Sequence, residues 1–363
     1  MQKYFVSAFT FVACVGCGQI SNFQLSPFSQ VVEAVAQPTA GHWQTAGLNI
    51  CSKLDFESIT WPAGLTPEEQ NAFALGLNIS GSFEGSDGWR NITNDFDGEG
   101  LSLGLLNQCL GEGSLQPMLT EMIQKHTDLM KQIFIAGTFE SLEGMLTQWQ
   151  KRGMVPDNED QLETGFSSLD DEDVVADFLK RKPKPKPKPK PKTRNEESVD
   201  WAVKNLYLDS KGIIFTPAWM LGFTGMSDTA EYRSLQLAKA HSLHQGAMAL
   251  FHHFKMTQVR SYLFFFDIMV QNGGINSDVI DSIDATLTKK EFSETEKLER
   301  ILTIRLKFVR KKYAADVKSR KESLIKGGGF VHGINRSYDL EYCARLNSQL
   351  YPDSAEVENY LNL

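Results

Sequence analysis

A chain of 363 residues that is 41% hydrophobic and 10% aromatic has enough apolar material for one large or two modest domains, which excludes disorder throughout. The formal net charge is -8, and it is unevenly placed: from Thr45 to Gln150 fourteen Asp and Glu stand against four Lys and Arg, a net of -10. That half repels anionic polymers, so no nucleic acid is expected as a partner and a neutral or cationic ligand is favoured.

At the N-terminus, Lys3 precedes an apolar run from Tyr4 to Val15 and the small-residue stretch CVGCG. The run is too short for a membrane span and has the layout of a secretory signal peptide, assigned to residues 1–17. Cys17, between Gly16 and Gly18, resembles a bacterial lipobox cysteine, with Cys14 where a leucine is usual. Lipid attachment at Cys17 and simple cleavage both stay open, and such an anchor would be the one link to a membrane. Either route exports the protein, to the periplasm, the outer membrane or the medium. Cys51, Cys109 and Cys343 remain after processing, and three cysteines allow at most one intramolecular disulfide or none. Residues 18–44 are polar and patternless, and they read as a tether.

The next segment, 45–154, is read as an N-terminal catalytic lobe. In TPEEQNAFALGLN, Thr66 is a candidate N-cap, Pro67 suits the first helical position and Glu69 lies three residues after the cap. The helix that follows should deliver Glu84 just past its C-terminal end. FDGEGLSLGLL then sets Asp97 among glycines that permit tight turning, followed by apolar residues alternating with small ones, as a short hairpin strand lining a cleft would. A carboxylic acid that protonates a glycosidic oxygen needs a raised pKa, which burial against Phe83 and Trp89 would supply. A second carboxylate must stay ionised, about 6.5 to 9.5 Å away if a water is to attack with inversion. Leu115–Phe134 and Phe139–Lys151 carry apolar residues at three-and-four spacing and read as two amphipathic helices.

Residues 155–198 form an insert, acidic at Asp170 to Asp173 and ending in KRKPKPKPKPKPKTR, whose alternating prolines favour an extended solvated spacer. Residues 199–363 read as a C-terminal helical lobe, with helices in Ala230–Phe254, Gln258–Gly274, Ser293–Ile325 and Ser354–Leu363, broken at Gly273, Gly274 and Gly327 to Gly329. Asp316, Arg320 and Lys321 are spaced for ion pairs along one helix. His241 with His244, and His252 with His253, complete no zinc signature, so no metal is expected. No phosphate loop, dinucleotide fingerprint or nucleophile elbow occurs, so no cofactor is expected.

The stretch from Phe83 to Gly111 resembles the active-site region of the lysozyme-like superfamily of glycoside hydrolases, and DGEGLSLG is similar to the D-G-x-G-x-T-x-G hairpin of bacterial chitosanases. SYLFFFDIMVQNGG and YAADVKSRKESLIKGGGFVHG resemble segments of related secreted proteins. The resemblance implies a mainly α, two-lobed lysozyme/chitosanase-like fold with a small β-hairpin at the cleft. It implies Glu84 as general acid, Asp97 as the aspartate assisting the attacking water, and Ser102, in place of the usual threonine, as the hydroxyl holding that water. Substrate contacts would come from Asp87, Trp89, Glu99, Asn107 and Tyr262: the aromatics as sugar platforms, the acids as partners for a sugar ammonium, the amide for hydroxyls. The implied activity is hydrolysis of β-1,4 linkages in peptidoglycan, with de-N-acetylated glycan attractive to the acidic half. A chitosanase, or an envelope lipoprotein that binds glycan without cleaving it, are the alternatives.

Overall fold

The computed structural model describes residues 48–154 and 191–351. The expected signal, the tether, most of the insert and the Ser354–Leu363 helix lie outside the described residues. Within them the protein is mainly helical, with twelve α-helices and five short strands.

Helix α1 (Pro67–Glu84) starts as its sequence dictates: Thr66 Oγ1 accepts from Glu69 N at 3.2 Å, and Glu69 Oε2 accepts in turn from Thr66 N at 2.9 Å. From Ala72 to Gly81 it is buried on every side, the mark of a central helix rather than a surface one. Helix α8 (Val259–Asn272) is its partner in the middle of the molecule, and Tyr262 to Ile268 are buried without a break. The two helices come close because Gly76 has no side chain: a Cβ there would fall 2.8 Å from the Phe266 ring.

After α1 the chain forms a three-stranded antiparallel sheet of β1 (Ile92–Thr93), β2 (Ser102–Leu103) and β3 (Gln108–Cys109), with Thr93 opposite Ser102 and Leu103 opposite Gln108. The expected hairpin is therefore the middle of a small sheet. Where one helix was expected over Leu115–Phe134 there are two, α2 (Gln116–Lys125) and α3 (Thr127–Ile133), separated at His126. Helix α4 (Thr138–Met154) leads to the insert, and α5 (Arg194–Asn205) begins inside the stretch read as insert, because Thr193 and Glu196 form a second capping box. Helices α6 (Pro217–Ser227) and α7 (Ala230–His253) follow, then α8 and α9 (Ser277–Leu287).

The long helix expected over Ser293–Ile325 is also two, α10 (Glu294–Arg305) and α11 (Lys311–Lys326). No glycine or proline marks the break at residues 306–310. α10 packs on α9 and α11 on α8, so the turn is set by what each half packs against. Past α11 a second hairpin, β4 (Gly328–Val331) and β5 (Ile334–Ser337), precedes the short α12 (Tyr338–Tyr342).

Two apolar cores result. One joins α1, α8, α10 and most of α7 with residues 50–59 and 338–351; the other gathers Leu101, Leu103, α2 to α6 and Tyr232. Each draws on both sides of the insert, so the insert divides the sequence but not the cores. Cys51 and Cys343 form a disulfide, Cα atoms 5.3 Å apart, across 292 residues, and Cys109 is a buried free thiol. A bridge closing so long a loop restricts the unfolded chain strongly. Cys343→Ala should therefore lower the unfolding free energy by about 2 to 4 kcal/mol, read as a lower denaturation midpoint, and reductant should lower the wild type to the variant's value without moving the variant.

Candidate active site

A helix end leaves its last carbonyls without intrahelical donors, and α1 ends on Ser82, Phe83 and Glu84. Side chains from far along the chain supply the donors. Arg336 Nη2 donates to Ser82 O at 3.0 Å and its Nη1 to Ser82 Oγ at 2.8 Å. His332 Nδ1 meets Phe83 O at 3.1 Å, and Asn107 Nδ2 donates to Glu84 O at 3.4 Å. The guanidinium groups of Arg320 and Arg336 lie 4.6 and 5.0 Å from the centre of the Phe83 ring, a favourable use of its π-face. The backbone of Glu84 is thus fixed by the sheet on one side and the β4–β5 hairpin on the other.

Its carboxylate is held as well. Glu84 Oε1 accepts from Arg320 Nη1 at 2.8 Å, so a proton delivered by Glu84 would be carried on Oε2. Arg320 is buried, and its remaining donors go to Asp267: Nη2 to Oδ1 at 2.6 Å and Nε to Oδ2 at 3.3 Å. Asp267 Oδ2 also takes the Lys321 ammonium, which donates further to Asp267 O at 3.1 Å and Gln271 Oε1 at 2.8 Å. Burial alone would push the Asp267 carboxyl up, but Lys321 and Arg320 outweigh it and hold it at about 2. Burial likewise pulls the Lys321 ammonium down, to about 8 despite Asp267, which leaves it charged at neutral pH. Two buried cations and two carboxylates make the group neutral, with Arg320 spanning both acids.

A cavity of about 600 Å³ opens beside Glu84, within the usual size of small-molecule sites. Gln271 of α8, Arg305 at the end of α10, Phe308 in the break, and Tyr313 and Asp316 of α11 line it. Asp316 is tied on both sides, to Gln271 Nε2 at 2.6 Å and His332 Nε2 at 2.5 Å. Phe308 and Tyr313 are 61% and 50% exposed; the Lys312 ammonium stands 4.5 Å from the centre of the Tyr313 ring, so Phe308 is the more open of the two.

Of the residues expected to act on or bind substrate, Glu84 alone lines this cavity; Asp316 and Arg320, expected as ion-pair partners, line it too. Asp97 is exposed at the end of a 3₁₀ turn (Asp95–Asp97) that docks on the 209–214 loop through Asp95 N to Gly212 O at 2.9 Å. Its Oδ1 accepts from Glu99 N at 3.2 Å, and Ser102 is buried in β2. The expected pair, Glu84 with Asp97, is not gathered into one cavity; Asp316 is the other carboxylate there.

Two expected platforms are corrected outright. Trp89 is buried, its indole N–H donating to Asp55 O at 2.9 Å and its ring against Phe56. Tyr262 is buried with its hydroxyl on His244 Nδ1 at 2.8 Å. Neither shows a face to a ligand. Phe83 is buried with Trp89 in the core, and Arg320, not an apolar wall, is what meets the Glu84 carboxylate. Asp87 is exposed beside Ser86, Glu99 accepts from the Cys109 thiol at 3.3 Å, and Asn107 serves the α1 terminus.

Sequence reasoning treated Arg320, Lys321 and Asp316 as partners along one helix, whereas their partners lie on α1, α8 and the β4–β5 turn. An acid directly after three phenylalanines, Phe264 to Phe266, was the signal that could have found Asp267. Arg305, Phe308 and Tyr313 carried no such mark. Among the described residues no cluster of His, Cys, Asp or Glu suits a metal ion. No family model, curated protein or solved structure matches the chain.

Removing the shared anion should be costly, because it leaves two buried cations with one partly exposed carboxylate between them. Asp267→Asn is expected to destabilise by about 3 to 5 kcal/mol in urea unfolding at pH 7. The sign of the pH effect follows from the lowered carboxyl: its contribution is complete above about pH 4 and is lost as pH falls through about 2. The variant's unfolding midpoint should therefore fall less than that of the wild type across this interval.

Proposed function

We propose that the protein is a glycoside hydrolase of the lysozyme- and chitosanase-like kind that cleaves β-1,4 linkages of an amino-sugar polymer, with peptidoglycan as the substrate and Glu84 as the proton donor. The observation that carries this reading is the rigid presentation of Glu84 at the mouth of a cavity: backbone clamped, Oε1 held by Arg320, side chain 22% exposed. Positioning of this kind is one requirement of proton transfer to a leaving oxygen. Phe308 supplies an exposed aromatic face of the kind that sugar rings stack on. The disulfide between Cys51 and Cys343 supports an exported protein, since such bridges persist in oxidising compartments.

The charge around the cavity bears on the choice of glycan. Arg305, Arg310 and Arg320 line it against Glu84 and Asp316, and the acids that made a de-N-acetylated, cationic glycan attractive, Asp87 and Glu99, do not. This favours peptidoglycan over chitosan, whose ammonium groups would approach arginines. The resemblance assigns the base that activates water to Asp97, which lies outside this cavity. The presence of Asp316 in the cavity favours one second reading, in which Asp316 takes that part, although its two tethers suit a structural role better.

Turnover of soluble peptidoglycan fragments separates these readings. Glu84→Gln should fold and lose activity by about 10² to 10⁴, since an amide delivers no proton. Asp97→Asn should lose a comparable amount if Asp97 is the base; a large loss in folded Asp316→Asn with Asp97→Asn unaffected would transfer the role. A folded Glu84→Gln protein with near wild-type turnover refutes the hydrolase assignment, and binding of fragments without any turnover by the wild type leaves a glycan-binding protein.

A further inference from the structure

Arg305, the last residue of α10, is a buried cation with no counter-ion among the described residues. It is 8% exposed. Nη1 donates to Gly274 O at 3.1 Å and Nη2 to Asn272 Oδ1 at 3.0 Å, both neutral acceptors at the end of α8. Its Nε–H has no acceptor among the described residues. Burial pulls the guanidinium down to about 10, with no carboxylate opposing the effect. Every other charge of the cavity is matched or open to solvent: Arg320 lies on Asp267 and Glu84, the Asp316 side chain is 40% exposed, and Arg310 is exposed.

A buried guanidinium with only neutral partners is an unfavourable arrangement by itself. It becomes favourable when an anion arrives, because the planar fork of N–H donors matches a carboxylate and the pair forms in a site already partly dehydrated. Arg305 lines the same cavity as Glu84, so the anion would belong to the molecule occupying that cavity.

We propose that Arg305 is a carboxylate-binding position in the Glu84 cavity, and that it selects glycans whose sugars carry a carboxylate. This rests on the glycan-cleaving reading above and sharpens it. Chitin and chitosan have no carboxylate, whereas peptidoglycan offers two sources, the lactyl ether of muramic acid where it is not amidated and the acids of the stem peptide. Arg305 reads the shared chemistry.

The test is calorimetric binding to the full chain carrying Glu84→Gln, which prevents turnover, at constant ionic strength. The ligands are tetrasaccharides of equal length: N-acetylglucosamine alone, alternating N-acetylglucosamine and N-acetylmuramic acid with free lactyl carboxylates, the methylamide of the latter, and its stem-peptide form. The free acid or the peptide form should bind at least about tenfold more tightly than the neutral pair. Which of the two does so identifies the source of the carboxylate. Adding Arg305→Met should abolish the preference and leave the neutral ligands unchanged, while Arg305→Lys, which keeps the charge and loses the fork, should retain part of it. Equal affinities in the parent, or a preference that survives Arg305→Met, overturns the proposal. If no tetrasaccharide binds, the glycan reading fails, and sodium lactate decides the rest: an upward melting shift in the parent that Arg305→Met lacks keeps the anion position, and no shift removes it. Should Arg305→Met fail to fold, the same comparisons are read on Arg305→Lys, where an undiminished preference for the carboxylate over its methylamide would count against the fork.

Discussion

The burial of one carboxylate, Asp267, organises the region around the cavity. α8 is buried along most of its length, so an acid placed on it cannot reach water and must be neutralised from a neighbouring element. Adjacent residues of α11, Arg320 and Lys321, both turn to it. Arg320 has donors to spare, and the one left over falls on Glu84. A requirement of the core thereby reaches the surface: the arginine that neutralises Asp267 is the arginine that holds the candidate proton donor. Buried ion pairs contribute little net stability compared with an apolar packing of the same volume. Keeping one here makes physical sense as a means of fixing the position of Glu84, which an apolar core could not do.

The end of α1 meets the same demand in its backbone. Three carbonyls that no helix can satisfy internally are taken by Arg336, His332 and Asn107, from the β4–β5 hairpin and the small sheet. Cationic side chains suit a helix C-terminus, where the macrodipole is negative. One terminus therefore ties together three elements that are far apart in sequence, and Glu84 is the residue at their meeting point. His332 carries the linkage onward to Asp316 on the cavity wall.

What could be read in the sequence was what local chemistry determines. Thr66 with Glu69, the glycines around Asp97 and the three-and-four apolar spacing of α4 act within a few residues, and each marked its element. The identity of Glu84 as a helix-terminal acid followed from the same signals. The missed features are tertiary. Nothing at residues 306–310 breaks a helix by itself; α10 packs mainly on α9 and α11 mainly on α8 and β4. Trp89 and Tyr262 have the composition of sugar platforms, but aromatic rings are equally good core material, and here neighbours on other helices cover them. Phe308 became available by the converse route, since the break between α10 and α11 left its ring in solvent.

That break also decides the electrostatics of the cavity. In an uninterrupted helix Arg305 would be one more residue on a packed face. With α10 ending at Arg305, its guanidinium turns back onto the free carbonyl of Gly274 and the amide of Asn272, where α8 also ends. Both acceptors are neutral, so the hydrogen bonds hold the side chain without cancelling its charge. Burial is what chiefly pulls the Lys321 ammonium down, and the nearby Arg320 and Arg305 charges act in the same direction. An anion bound at Arg305 would relieve that repulsion. It would strengthen the Lys321 and Asp267 pair, and through Arg320 the hold on Glu84. On the proposed reading, an anionic sugar in the cavity and the hold of Arg320 on Glu84 would be coupled by charge alone.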